Sequence, residues 1–166
     1  MPGAIRGMFR PGMRAYLVPL VAGLTLAVSA FLPWVRVGDI SLAGVPDTTA
    51  LWIVGLGVLA AVLATLSLIT RKNSRHPLLL IGLVALGLMF LSWQLAPTAV
   101  AERVLTRAQA LAIVENRPFS AAPPTVVGEG IYVGLLASGA LVGFGLTIVV
   151  KRVARPYVVE TPDDDV

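Results

Sequence analysis

The charged residues of this chain fall in blocks, and long uncharged stretches separate the blocks. No Asp, Glu, Lys, Arg or His lies between Arg14 and Arg36, a window of 21 residues. Asp47 and Arg71 enclose 23 such residues, His76 and Glu102 enclose 25, and Glu129 and Lys151 enclose 21. A helix rises about 1.5 Å per residue, so roughly 20 residues cross a hydrocarbon layer about 30 Å thick. Each window is long enough. The apolar runs are continuous and lack the period-2 alternation of a membrane barrel, and lipid offers backbone amides no partner outside their own helix. The pattern therefore predicts an all-α membrane protein, a four-transmembrane-helix bundle with spans at 15–32, 51–69, 77–95 and 131–150. Pro19, in the first turns of the first span, is a candidate bend.

The connecting segments carry weaker patterns. Residues 35–44 (VRVGDISLAG) alternate apolar and polar positions and end in turn formers, which reads as short strands or a hairpin. Residues 124–132 (PTVVGEGIY) form a second β-prone patch. Both loops emerge on one face, so the two are expected to pair into a small extracytoplasmic sheet. Between them, residues 98–116 read as a separate amphipathic outer helix, with Thr98 as N-cap and Arg117-Pro118 as the stop. Val100, Val104, Ala108 and Leu111 share one face, opposite Glu102, Arg103, Thr106 and Gln109. Such a helix suits the protein's own outer face, the membrane surface or a docking partner. The layout is then a basic N-terminus at 1–14, a transmembrane domain at 15–150 with outer loops 33–50 and 96–130, and a tail at 151–166. Asp163, Asp164 and Asp165 make that tail a solvated end.

Composition agrees with the pattern. Hydrophobic residues are 57% of the chain and charged residues 13%, against roughly 45–50% and 25% in a soluble domain. The absence of cysteine excludes disulfides, thiolate metal sites and cysteine acylation, and the single histidine, His76, excludes a histidine-rich metal site in one chain. The net charge of +4 reads as topology. Nine Lys and Arg residues fall in the N-terminal segment (Arg6, Arg10, Arg14), the second loop (Arg71, Lys72, Arg75) and the tail (Lys151, Arg152, Arg155). Four fall in the other two loops: Arg36, Arg103, Arg107 and Arg117. The imbalance predicts cytoplasmic N- and C-termini, and no nucleic-acid partner is expected. A competing reading takes the basic start and Val28-Ser29-Ala30 as a cleaved signal peptide; the apolar run through Phe31, Leu32 and Trp34 favours a retained span.

Candidate chemistry is sparse. Gly55-Leu-Gly57-Val-Leu-Ala60 matches a dinucleotide-binding pattern, but it lies inside an uncharged span without the acidic residue that pattern requires. Gly57/Ala61, Gly134/Ser138 and Gly139/Gly143 are small residues four apart, a spacing that lets helix backbones approach closely in lipid. Gly139 and Gly143 are expected either to pack within the bundle or to join two copies. Asp39, Asp47, Glu102, Glu115 and Glu129 sit at unrelated spacings, and no ionisable residue lies in any span, which argues against ion-coupled transport. Thr25, Ser29, Thr65, Ser67, Ser92, Gln94, Ser138 and Thr147 read as helix glue. Trp34, Trp52, Trp93 and Tyr132 flank the outer loops as interface anchors.

Residues 31–35 (FLPWV) and 128–145 (GEGIYVGLLASGALVGFG) resemble the span ends of small bacterial four-span membrane proteins. The tetraspan layout is also similar to claudins, whose first extracellular loop carries a tryptophan motif and two cysteines; this chain has Trp34 and no cysteine. Eleven Arg against two Lys, with abundant Ala, Gly, Val and Pro, suggests a GC-rich bacterial genome and hence a bacterial cytoplasmic (inner) membrane. The expected function is a membrane scaffold or accessory subunit of a membrane complex, not an enzyme and without a cofactor. Its expected partners are the lipid bilayer and other membrane-protein subunits or a second copy in a homo-oligomer. Trp34, Val100, Val104, Leu111, Gly139 and Gly143 are the interface candidates. The alternative is a small channel or transporter for a neutral or apolar solute, with a path around Ser92, Gln94 and Ser138.

Overall fold

A 3-10 turn at Arg14–Tyr16 leads into helix α1 (Leu17–Ser29), followed by strands β1 (Pro33–Val37) and β2 (Ile40–Ala43). Then come α2 (Thr48–Thr70), α3 (Arg75–Glu115), β3 (Thr125–Val127) and α4 (Glu129–Val153). The computed structural model describes residues 14–70, 75–116, 118 and 123–153. Arg6, Arg10, Arg71, Lys72, Arg117 and Arg155 of the charge count, and the acidic end Asp163–Asp165, lie outside the described residues.

Among the described residues, three helices are long and apolar enough to cross a membrane: α2, α3 and the Glu129–Thr147 stretch of α4. The expected first span at 15–32 is shorter at both ends. α1 has 13 residues, about 20 Å at the helical rise. Phe31 and Leu32 turn the chain, their amides donating to Val28 O and Ser29 O at 3.0 and 3.3 Å. Pro19 is fully buried in the first turn of α1, where its missing N–H had no helical partner to lose.

α1 packs against α2 and α4, α4 packs against α3, and a looser α2–α3 contact closes the bundle. Much of the interior is small: Ala22, Ala60, Ala61, Ala64, Ala85 and Ala137 are buried. The exterior is large, with Val58, Leu59, Val62, Leu66 and Ile69 of α2 all exposed. The most apolar stretches of the three long helices are only 39%, 33% and 44% buried, so most of their apolar surface faces outward. Water would penalise such a surface and lipid would not, which identifies a membrane-associated protein.

Close packing depends on missing side chains. A Cβ on Gly57 of α2 would lie 2.6 Å from Ala27 N and 2.7 Å from Gly23 O of α1. One on Gly23 would lie 2.8 Å from both Ala61 N and Gly57 O. The two backbones therefore touch. At one end of the bundle, Tyr16 and Phe144 meet edge to face with centroids 5.3 Å apart. The Arg75 guanidinium lies 5.5 Å from the Phe144 ring and 6.0 Å from Tyr16, joining the starts of α1 and α3 to α4.

The opposite end carries an antiparallel three-stranded sheet in the order β2-β1-β3, formed from the two segments expected to pair. The all-α expectation is corrected to that extent. Gly38 supplies the positive φ (55°) at the first of two hairpin-loop residues, where primed turns demand it.

A larger correction concerns the expected break between the third span and the amphipathic helix. α3 runs unbroken for 41 residues through Pro97. Thr98 caps nothing there; its hydroxyl donates back to Leu95 O at 2.9 Å. Pro97 cannot donate to Trp93 O, yet a neighbouring strand supports this turn, because Thr125 Oγ1 donates to Pro97 O at 3.3 Å. The helix ends as expected near Pro118, with Asn116 in the left-handed region (φ 49°).

Gly57→Leu should force α1 and α2 apart, at a cost of about 1–3 kcal/mol or more for overpacking. Gly55→Leu, where an added Cβ meets nothing within 4 Å, should unfold near the wild-type temperature. Thermal unfolding of both variants in detergent micelles checks the contrast.

Candidate functional site

β1 buries two consecutive side chains, Trp34 and Val35, although neighbours on a regular strand point to opposite faces. The ladder gives the reason. Pro33 pairs with Ala43 and Val35 with Leu42, so Trp34 is an extra residue on β1. This bulge turns the indole inward. Trp34 Nε1 donates to Ser29 O at 3.0 Å, satisfying a carbonyl at the end of α1. Val45 N donates to the next carbonyl, Ala30 O, also at 3.0 Å.

Two glycines flank the ring. A Cβ on Gly44 would lie 2.5 Å from Trp34 Cε2, and one on Gly130 would lie 2.8 Å from Trp34 Cδ1. Gly128 N donates to Trp34 O at 2.7 Å. The FLPWV and GEG segments, 93 residues apart between Arg36 and Glu129, thus meet around one side chain, and the Arg36–Glu129 ion pair joins them at the surface. Glu129 opens α4, where the helix dipole favours a carboxylate.

The C-terminal half of α3 stands beside this sheet, and the helix contacts β1 and β3. Val100 and Val104 are half-buried and packed against the core, as their shared face implied. Ala108 and Ala112 continue that stripe. Leu111 does not: it is 48% exposed, and Ile113 and Val114 beyond it are 81% and 82% exposed. The interface candidates therefore separate into three groups. Val100 and Val104 serve the intramolecular contact, and Leu111 faces outward near the helix tip. Gly139 and Gly143 are exposed on α4 with nothing within 4 Å of an added Cβ, so they do not pack inside the bundle.

Trp34 is 4% exposed, with its ring and N–H both engaged within the chain, so it is not an interface anchor. Trp52, Trp93 and Tyr132 are exposed at 65%, 38% and 51%, as anchors would be. The parts that sequence reasoning missed are Gly44 and Gly130 as walls for Trp34. Their only signal was the placement of glycines at a loop end and a helix start.

Most hydroxyls in the apolar helices return to their own backbone. Ser29, Ser138 and Thr147 donate to carbonyls three residues earlier, and Thr65, Ser67, Thr70 and Ser92 to carbonyls four residues earlier, at 2.7–3.0 Å. Gln94 is exposed, so it does not join Ser92 and Ser138 in a buried polar path. Among the described residues, no group of three or more His, Asp or Glu side chains is placed to hold a metal ion. The chain matches no protein-family model, no curated protein and no solved structure.

Trp34→Phe keeps the ring and deletes the N–H, leaving Ser29 O with only the 3.3 Å bond from Leu32 N. The expected cost is about 0.5–1.5 kcal/mol, the net worth of one hydrogen bond. Arg36→Ala removes an ion pair whose side chains are 48% and 60% exposed, and should cost no more than about 1 kcal/mol. Denaturant unfolding followed by circular dichroism ranks the two.

Proposed function

We propose that this chain is an integral scaffold or accessory subunit of a membrane complex, acting through helix packing and its sheet-capped end rather than through catalysis. We place it in a bacterial inner membrane with both termini cytoplasmic and the cap outside, on the strength of its Lys and Arg distribution. One observation carries the reading. The buried serines Ser29, Ser92 and Ser138 each bond a carbonyl of their own helix, while α3 continues past the cap to present Leu111, Ile113 and Val114 to solvent. The first half of that observation argues against a polar route for a solute through the bundle. The second leaves apolar surface at a tip outside the bundle, where a partner subunit would gain most by covering it. The open Gly139/Gly143 face offers the same opportunity within the membrane plane.

Purification of the full chain from membranes in mild detergent, followed by native mass spectrometry, tests this reading. A species heavier than the monomer is expected. Ile113→Asp combined with Val114→Asp should abolish it while membrane insertion is retained. Recovery of the wild-type chain only as a lone monomer would overturn the proposal.

A further inference from the structure

The contact between α2 and α3 is looser than those of the other neighbouring helix pairs, and beside the cap it opens into a cleft of about 260 Å³. Trp34 and Ser92, both under 10% exposed, form its back. Leu91 and Leu95 line its side and are themselves 53% and 60% exposed, so the cleft opens laterally toward the lipid-facing surface. Asp47 and Thr49 stand at its mouth, at the start of α2.

The chemistry of these groups is selective. Ser92 has its hydroxyl proton committed to Leu88 O at 2.9 Å. Asp47 precedes a helix, a position where an aspartate side chain commonly caps the first amides. Here only its main-chain oxygen accepts, from Leu51 N at 3.1 Å, and its carboxylate has no hydrogen bond or ion pair among the described residues. No Lys or Arg lines the cleft to compensate it. The result is one free anionic acceptor at the entrance of an apolar slot with an indole in its wall. The volume falls just under the roughly 300–1,000 Å³ of sites that enclose a whole drug-sized ligand. The slot is therefore sized for part of a molecule, with the remainder lying outside against the bundle.

We propose that this cleft binds the head and first carbons of an amphiphile bearing a primary ammonium group. Asp47 accepts charge-assisted hydrogen bonds from the ammonium, and Leu91, Leu95 and the Trp34 indole cover the carbons that follow. Two sources carry that chemistry, an aminophospholipid of the bilayer and a free long-chain amine. The site does not depend on whether the chain has protein partners.

The test uses Trp34 as reporter. With Trp52→Phe and Trp93→Phe in the full chain, Trp34 is the one remaining tryptophan of three. Its fluorescence is followed in phosphatidylcholine vesicles containing chain-brominated phosphatidylethanolamine, chain-brominated phosphatidylglycerol or bromododecylamine. Quenching by phosphatidylethanolamine, by the amine or by both, at several-fold lower concentration than by phosphatidylglycerol, supports the proposal, and whichever quenches names the source. Asp47→Asn should weaken the apparent affinity about tenfold, the scale of one charge-assisted hydrogen bond, whereas Asp47→Glu should retain it. Ala99→Leu narrows the slot without touching the carboxylate and should weaken quenching as well. Equal quenching by phosphatidylglycerol, or an unchanged preference in both Asp47→Asn and Ala99→Leu, would overturn it.

Discussion

An apolar helix that ends at Ser29 leaves carbonyls that lipid cannot satisfy, and the capped end of this molecule is organised around that requirement. The indole of Trp34 takes Ser29 O, and the amide of Val45 takes Ala30 O. For the indole to arrive there, β1 must carry a bulge, and glycine must stand at 44 and 130 to admit the ring. The hairpin, β3 and the start of α4 are consequently all gathered around one side chain. α1 is able to stop after 13 residues because this cap, and not the bilayer, completes its hydrogen bonding.

Within the bundle the usual distribution of residue sizes is turned inside out. A hydrophobic driving force between helices is absent where the solvent is itself apolar, so association rests on backbone proximity and dispersion. Gly23 against Gly57 is the clearest instance, since each occupies the space a side chain on the other would need. The branched residues pushed to the outside meet lipid at no cost. This arrangement also explains why the interior tolerates Ser29, Ser92 and Ser138: each hydroxyl donates to a carbonyl of its own helix.

Much of this was legible from the order of residues. The charge-free windows located three long helices, because hydrocarbon thickness sets a length that no soluble constraint would impose. The strand pairing was expected from the alternation in residues 35–44 and the β-prone run at 124–132, on two loops read as sharing a face. Two things were hidden, each for a physical reason. Pro97 reads as a stop in water, but in an apolar helix, with Thr125 supporting its turn, the helix gains more by continuing. Trp34 reads as a surface anchor because it stands where a span meets a loop, and a bulge in β1 turns its ring inward instead. Leu111 is a milder case: the buried stripe passes to Ala112 in the last turns of α3. The pairing of Arg36 with Glu129 had no sequence signal, since it spans 93 positions and follows only from the sheet.

The unbroken passage of α3 through Pro97 has a mechanical side. Beyond Val104, which still packs against the core, the helix continues for 11 residues to Glu115, about 17 Å at the helical rise. A rod of that length is a lever. Tilting it by about 10° at its base would sweep its tip through roughly 3 Å, more than packed side chains in the bundle can move. The position of Ile113 and Val114 is thereby tied to the packing of Val100 and Val104 at the base, so that small repacking there is magnified at the tip.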